Sequence, residues 1–193
     1  MAGKTAERAL QLAGSNRGNQ DSLALAIELI DRAIVLVDQS QTSDNDNSGL
    51  YHGLYGHKSQ IQCYQGKFGT ALATLEDAEK EYGAFWMNQF LQAIISDFMG
   101  DTTSANLNYE RAIDYCDYKL KKMDQNSQEY LSMFVTCITA KVLRYGIEGV
   151  RGDIEKLKAR KDYTEGSPVY YAVIGFENWD KEAYFKSLWS IKE

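Results

Sequence analysis

The chain contains two histidines and three cysteines, the side chains best suited to bind a metal ion or to act as nucleophiles. His52 and His57 are separated by five positions, so they do not share a helical face as a metal-binding pair at i and i+4 does. Cys63, Cys116 and Cys137 are odd in number and lack short spacings, which fits neither a disulfide framework nor a zinc site. We therefore expect the cysteines to be small apolar side chains within helices, and we expect no metal and no cofactor.

Asp44-x-Asp46-x-Ser48-Gly49 matches the front half of an EF-hand calcium loop. The glutamate that should close such a loop falls at Tyr55, within a predicted helix. The surrounding segment 39–49 has few apolar residues, as flexible linkers do. A plain flexible linker is therefore the favoured interpretation over a calcium site.

Catalytic motifs are also missing from the sequence. Gly146, Gly149 and Gly152 are regularly spaced, but no strand precedes them and no lysine stands where a phosphate-binding loop needs one. Neither a Ser/His/Asp set nor a nucleophile elbow is suggested. We expect a protein that is not an enzyme, with a hydrolase or a metalloprotein as the less favoured reading.

Charge is distributed unevenly along the chain. The net charge of −6 argues against general nucleic-acid binding, which requires cations to neutralise phosphates. Leu72–Asp117 carries nine acids and two bases, whereas Tyr118–Lys161 carries ten bases and five acids. The ordinary explanation is solvated helix faces; the alternative is an acidic surface for a basic partner. The candidate acidic residues are Glu76, Asp77, Glu79 and Glu81.

The sequence offers little information on compartment. No apolar run is long enough to span a bilayer, and Met1-Ala2-Gly3-Lys4 does not begin a signal peptide. A cytoplasmic protein, or an exported protein or lipoprotein whose leader has been removed, would both fit.

Apolar periodicity predicts helices over most of the chain, and the single proline suits long helices. Asp21 or Ser22 is expected to cap the second helix, and Asn178 the last. The β-branched and aromatic stretch 169–176 predicts a short extended segment packed on the preceding hairpin. The helices are predicted over residues 4–14, 21–38, 51–64, 70–82, 84–99, 102–122, 127–145, 153–161 and 179–191.

Two central stretches repeat with a period of 34 residues. The repeated pairs are Gly66 and Gly100, Ala71 and Ala105, Leu75 and Tyr109, and Ala78 and Ala112. Each glycine can end a helix in the left-handed conformation at low cost. Each alanine would let two helices approach closely, with Leu75 or Tyr109 filling the space between.

This small–aromatic–alanine pattern resembles the tetratricopeptide repeat, whose units have about 34 residues. Ser59 and Ala93 match the small residue of the first helix in each unit, whereas the tryptophan-like position is Tyr55 in one and Gln89 in the other. The repeat-ending proline is absent. The alternative is an unrelated pair of antiparallel helical hairpins.

The resemblance implies an all-α fold, a right-handed superhelix of antiparallel helix pairs forming one domain. The implied units are repeats at about 7–38, 52–83 and 86–117, an atypical capping hairpin at 126–161, and a tail with a final helix at 167–193.

The resemblance also implies a concave groove lined by the first helix of each pair, which takes an extended peptide or a helix. The groove candidates are Gln60, Cys63, Tyr64, Met87, Phe90, Ile94, Asp97 and Phe98. The alternative is that Phe90, Ile94 and Phe98 are core residues covered by the tail, because an open groove so apolar would need covering.

Two functions follow from these expectations. The first is a protein-interaction scaffold that binds a protein or peptide partner through the groove or the acidic surface. The second is a bacterial immunity or inhibitor protein that neutralises a basic toxin by electrostatic complementarity.

Overall fold

The computed structural model describes residues 2–39 and 48–189, and within these ranges the chain forms ten α-helices and no strand. The predicted all-α class is therefore confirmed for the described residues. A 3₁₀ turn, Ile147–Val150, precedes the eighth helix. The helices are α1 (Ala2–Ser15), α2 (Gln20–Gln39), α3 (Ser48–Tyr64), α4 (Phe68–Tyr82), α5 (Trp86–Phe98), α6 (Thr102–Leu120), α7 (Gln128–Tyr145), α8 (Arg151–Lys158), α9 (Pro168–Glu177) and α10 (Lys181–Trp189).

The turns after α3 and α5 have the same hydrogen bonds. Gly66 and Gly100 both have positive φ, +75° and +85°, a conformation that glycine adopts without a steric penalty. The amide following each glycine closes the helix end: Lys67 N donates to Gln62 O and Asp101 N donates to Ser96 O, both at 2.9 Å. This is the six-to-one bond of a Schellman motif. The same helix end thus recurs at the spacing seen in the sequence.

Small side chains lie where these helices pack. Ala71 and Ala78 on α4, and Ala105 and Ala112 on α6, are almost fully buried. Helix α4 packs chiefly on α3, and α6 packs most extensively on α5. Leu75 and Tyr109, four residues after Ala71 and Ala105, are also buried. Side chains without bulk allow two helix axes to approach closely, and the larger residue between them fills the remaining space.

The apolar core consists of three successive clusters. The first joins α1, α2 and α3. The second, called the central cluster here, joins α3 to α7 and also includes Phe185 and Trp189 of α10. The third joins α7, α8 and α9. Because α3 and α7 each contribute to two clusters, the helices form a connected series.

The expected extended segment at 169–176 is wrong, since this stretch is helix α9. Ser167 caps the helix by accepting a hydrogen bond from Tyr170 N at 3.1 Å, and Pro168 follows in the first turn, where its missing N–H costs nothing. Val169, Val173 and Phe176 then lie on one face and are buried beside α7 and α8. Burial of this face outweighs the weak β-preference of the individual residues.

Two predicted helix caps are wrong, and α3 begins earlier than predicted. Asn19, rather than Asp21 or Ser22, caps α2 by accepting from Ser22 N at 3.0 Å. Asp180, rather than Asn178, caps α10 by accepting from Ala183 N at 3.0 Å. Helix α3 begins at Ser48, so its first turn includes two residues assigned to the linker.

Candidate interaction surfaces

The two histidines do not form a common site within the described residues. His52 is buried, stacks on Phe85 with ring centroids 4.9 Å apart, and lies 3.3 Å from both Asn88 Nδ2 and the carbonyl oxygen of Tyr82. It therefore joins α3 to α5 and to the end of α4. Burial lowers the pKa of His57 below its ordinary value. No group of three or more metal-ligating side chains occurs in residues 2–39 and 48–189.

All three cysteines are buried within helices. Burial raises the pKa of Cys63 to about 12. Cys116 and Cys137 lie within hydrogen-bond reach across α6 and α7; this bond lowers the pKa of Cys116 and raises that of Cys137. The Cys137 thiol also donates to Asp117 Oδ1 at 3.4 Å. Sequence reasoning missed this contact, because the two thiols are distant in sequence and only the packing of α6 on α7 joins them.

The calcium-loop prediction concerns Asp44 and Asp46, which lie outside the described residues. Tyr55, at the position of the missing glutamate, lies in α3 with its ring 5.8 Å from that of Tyr82.

The groove candidates lie on α3 and α5, and much of this surface is covered by α10. Phe90 and Ile94 are buried in the central cluster. The Phe98 ring is 5.9 Å from that of Phe185, and Trp189 reaches the ring of Phe68 at the same distance. These contacts agree with the alternative interpretation, in which Phe90, Ile94 and Phe98 are core residues covered by the tail.

The remaining groove candidates have mixed environments. Cys63 is buried in the central cluster, Gln60 and Tyr64 are half-buried, and Met87 at the start of α5 is exposed. The Arg17 guanidinium lies over the Tyr64 ring, 4.6 Å from its centroid. The eight residues therefore do not form one open surface.

Asp97 connects α5 to two other helices. Its carboxylate accepts from Lys181 Nζ of α10 at 2.8 Å and from the Tyr109 hydroxyl of α6 at 3.1 Å. The Asp97 side chain is only 9% exposed, which strengthens its charge interactions relative to those at the surface. Burial and the Asp97 carboxylate together raise the pKa of Tyr109. Asp97 thus holds α10 in place and is not available to a partner in this arrangement.

The acidic face, defined as Glu76, Asp77, Glu79 and Glu81 of α4, is open. Glu76, Asp77 and Glu81 are exposed, whereas Glu79 is half-buried and accepts hydrogen bonds from Gln92 at 3.2 Å and Gln89 at 3.5 Å. None of the four forms an ion pair with another described residue.

A cleft lies on each side of α4. The α4–α6 cleft, with a volume of about 460 Å³, includes Glu76 and Glu79. The second cleft, with a volume of about 570 Å³, includes Asp77, Glu81, Tyr55 and Lys58. Lys58 does not neutralise this second cleft, because its ammonium pairs with Asp31 at 2.6 Å.

The opposite charges of the two sequence segments partly neutralise each other inside the molecule. Glu110 of α6 pairs with Arg144 of α7 at 3.0 Å, and Asp117 pairs with Lys141 at 2.9 Å. Two of the nine acids and two of the ten bases in these segments therefore serve the contact between α6 and α7. The acidic face of α4 takes no part in it.

A third cleft, of about 500 Å³, lies between the loop before α7 and the end of α8 and is lined partly by Lys156, Arg160 and Lys161. Arg160 is already used there: it pairs with Asp162 at 2.8 Å and donates to the carbonyl oxygen of Gln125 at 2.7 Å. This basic end of the molecule is therefore partly held by internal contacts.

Comparison with known proteins finds no matching family model, no similar curated protein and no similar solved structure. Among the described helices, none combines the length and the apolar character needed to cross a membrane.

Proposed function

We propose that this chain is a non-enzymatic interaction scaffold of tetratricopeptide-like helix pairs, which binds a basic protein or peptide through the acidic face of α4. The proposed units are α1–α2, α3–α4 and α5–α6, arranged as a right-handed superhelix, with α7 and α8 as a capping hairpin.

The matching helix ends at Gly66 and Gly100 support the repeat. So do the buried positions of Ser59 and Ala93, which occupy equivalent places on α3 and α5. In addition, α3 contacts both α1 and α5, the first helices of the neighbouring proposed pairs. Contact between successive first helices is what stacked repeat units require.

One observation carries the proposed function: no described residue forms an ion pair with the acidic face. Nearby carboxylates on other helices, Asp97, Glu110 and Asp117, each pair with a lysine or arginine. Four acids on one helix repel each other, and a basic surface that approaches them would relieve this repulsion and be steered toward them. The groove candidates are less suited to a partner, because Phe90, Ile94 and Cys63 are buried in the central cluster and α10 contacts Asp97 and Phe98.

An inhibitor of a basic toxin, the second function considered, would use the same acidic face. No separate observation favours it over a scaffold. The two differ in outcome, since an inhibitor would abolish an activity of its bound partner.

Charge reversal tests the proposed function. The wild-type protein is immobilised and incubated with an extract of the native host. It should retain a partner, which mass spectrometry identifies. The partner should elute at raised salt, because screening weakens the electrostatic contact. A variant with all four acids of the face changed to lysine should lose that partner.

The matched control reverses four exposed acids on other parts of the chain and should retain the partner. These control positions are Glu28, Asp114, Glu129 and Glu165. Equal retention by wild type and by the acidic-face variant would rule out the acidic face as the binding surface.

A further inference from the structure

Glu79 differs from every other half-buried carboxylate in the described chain. Six acidic residues have intermediate exposure, and five of them form an ion pair with a lysine or arginine. The five paired residues are Asp31, Asp97, Glu110, Asp117 and Asp153. Glu79 is bound only by the neutral amides of Gln89 and Gln92.

This arrangement fixes the Glu79 carboxylate without neutralising it. A carboxylate that is partly removed from water loses hydration, and a nearby cation is the usual compensation. Gln89 and Gln92 orient the carboxylate oxygens but contribute no net charge. Lys80 and Arg111, which line the same cleft, do not form ion pairs with Glu79.

The α4–α6 cleft beside Glu79 also contains buried polar side chains without partners. Ser96 is 2% exposed and Asn108 is 9% exposed, and neither side chain has a hydrogen-bond partner in the described part of the chain. Gln92, also buried, donates from its amide nitrogen to Glu79, and its side-chain oxygen has no described donor. The polar atoms of these three side chains are not enclosed by the protein but open into the cleft, where they are available to a polar occupant.

The occupant must supply several donors and a positive charge. The Glu79 carboxylate, the Gln92 and Asn108 amide oxygens and the Ser96 hydroxyl all accept hydrogen bonds. Leu72 and Leu107 add apolar surface to the same cleft, suited to an aliphatic chain. An arginine combines an aliphatic stem with five N–H donors in a planar, permanently charged fork, whereas lysine offers a single ammonium.

We propose that the α4–α6 cleft binds an arginine side chain of a partner protein, with Glu79 as the counter-ion of the guanidinium group. This inference rests on the proposed function, and it specifies which side chain of a basic partner is bound and where. Glu76 lines the same cleft and adds negative charge at its exposed part.

The test uses the whole chain and a small probe, N-acetyl-arginine methylamide, titrated by ¹H–¹⁵N NMR. Saturable shifts are expected for the side-chain amides of Gln89, Gln92 and Asn108. The matched citrulline compound has nearly the same shape but no charge, and it should bind at least about tenfold more weakly, since charge-assisted hydrogen bonds are about twice as strong as neutral ones.

Variants separate the contribution of the cleft from that of the general negative charge of the chain. Glu79→Gln preserves the shape of the side chain and should weaken arginine binding about tenfold, because it removes the counter-ion. Ser96→Ala removes one acceptor and should weaken it to a smaller extent. Glu129→Gln removes the same charge from an exposed position on α7, outside the acidic face and the cleft, and should leave arginine binding unchanged.

Equal binding of the arginine and citrulline compounds, no effect of Glu79→Gln, or shifts confined to other helices would overturn the arginine site. The proposed function is tested separately by partner capture. If partner capture depends on the acidic face but the arginine compound does not bind, only the arginine site in the cleft is rejected. Arginine binding without any acid-dependent partner would reject only the function.

Discussion

Single small residues determine how closely the helices of this chain approach each other. Gly56 is a clear case: a Cβ atom there would lie 3.1 Å from Asn88 Oδ1, so any other residue would require the Asn88 side chain of α5 to shift by a few tenths of an ångström. At Gly53, one turn earlier, an added Cβ would meet no atom within 4 Å. Of these two glycines of α3, only Gly56 therefore has a close neighbour on α5.

The alanines of α4 and α6 offer a direct stability test. Ala71→Leu or Ala105→Leu should reduce the free energy of unfolding by about 1–3 kcal/mol, because neither site has room for added methyl groups. Ala73→Leu is the control on the same helix, since Ala73 is exposed. Denaturant titration gives the comparison, and an unchanged midpoint for Ala71→Leu would contradict the close packing of α4.

His57 gives a prediction for pH. Because burial lowers its pKa, the folded state binds fewer protons than the unfolded state, in which the pKa is near the ordinary 6.5. Stability should therefore fall as the pH drops below about 6.5, until the folded-state pKa is passed. In His57→Gln, denaturant titrations between about pH 7.5 and 5.5 should show a weaker dependence on pH than in the wild type. Parallel pH profiles for the two proteins would exclude a contribution from His57.

Local sequence patterns predicted the helices with strong apolar periodicity, but they failed to predict helix α9 near the C-terminus. The stripe from Leu23 to Val37 placed α2 to within two residues at each end. Stretch 169–176 was misassigned because its composition favours strands, whereas its i, i+4, i+7 face is buried in the third apolar cluster. That burial depends on where α8 lies, which no local pattern specifies.

The candidate surfaces were predictable only in part for the same reason. The acidic residues of α4 are visible in sequence, because four acids on an exposed helical face need no tertiary information. The burial of Phe90 and Ile94 in the central cluster and the contact of Phe98 with α10 were one of two open alternatives, since sequence cannot place a tail. The amide bonds that hold Glu79 join α4 to α5 and could not be read from either helix alone.

The docking of α10 can be tested by removing its aromatic contact. Phe185→Ala should release residues 181–189 from the central cluster, because Phe185 is buried there and is within ring contact of Phe98. Hydrogen exchange should accelerate over α10, and binding of a hydrophobic dye should rise as apolar surface is exposed. Lys186→Ala, an exposed change on the same helix, should leave both measurements near wild type. Unaltered protection of α10 in Phe185→Ala would show that other contacts hold it.

Across the whole molecule, the charged side chains and the apolar surface have different roles. Two ion pairs, Asp117–Lys141 and Glu110–Arg144, join the acidic and basic segments between α6 and α7. The apolar surface of α5 is covered by α6 on one side and by side chains of α10 on another. No acid of the acidic face of α4 forms an ion pair with a described residue, although Lys80 and Arg111 line the cleft beside it. These features together make α4 the surface that we assign to a partner.

Hydrogen exchange of the complex with its captured partner tests this assignment most directly. Slower exchange is expected at 68–82, 92–96 and 102–111, the parts of α4, α5 and α6 that border the α4–α6 cleft, with no change at 181–189. Slower exchange at 86–98 and faster exchange at 181–189, with unchanged exchange at 68–82, would show that the partner displaces α10 and binds the central cluster. That result would contradict the account.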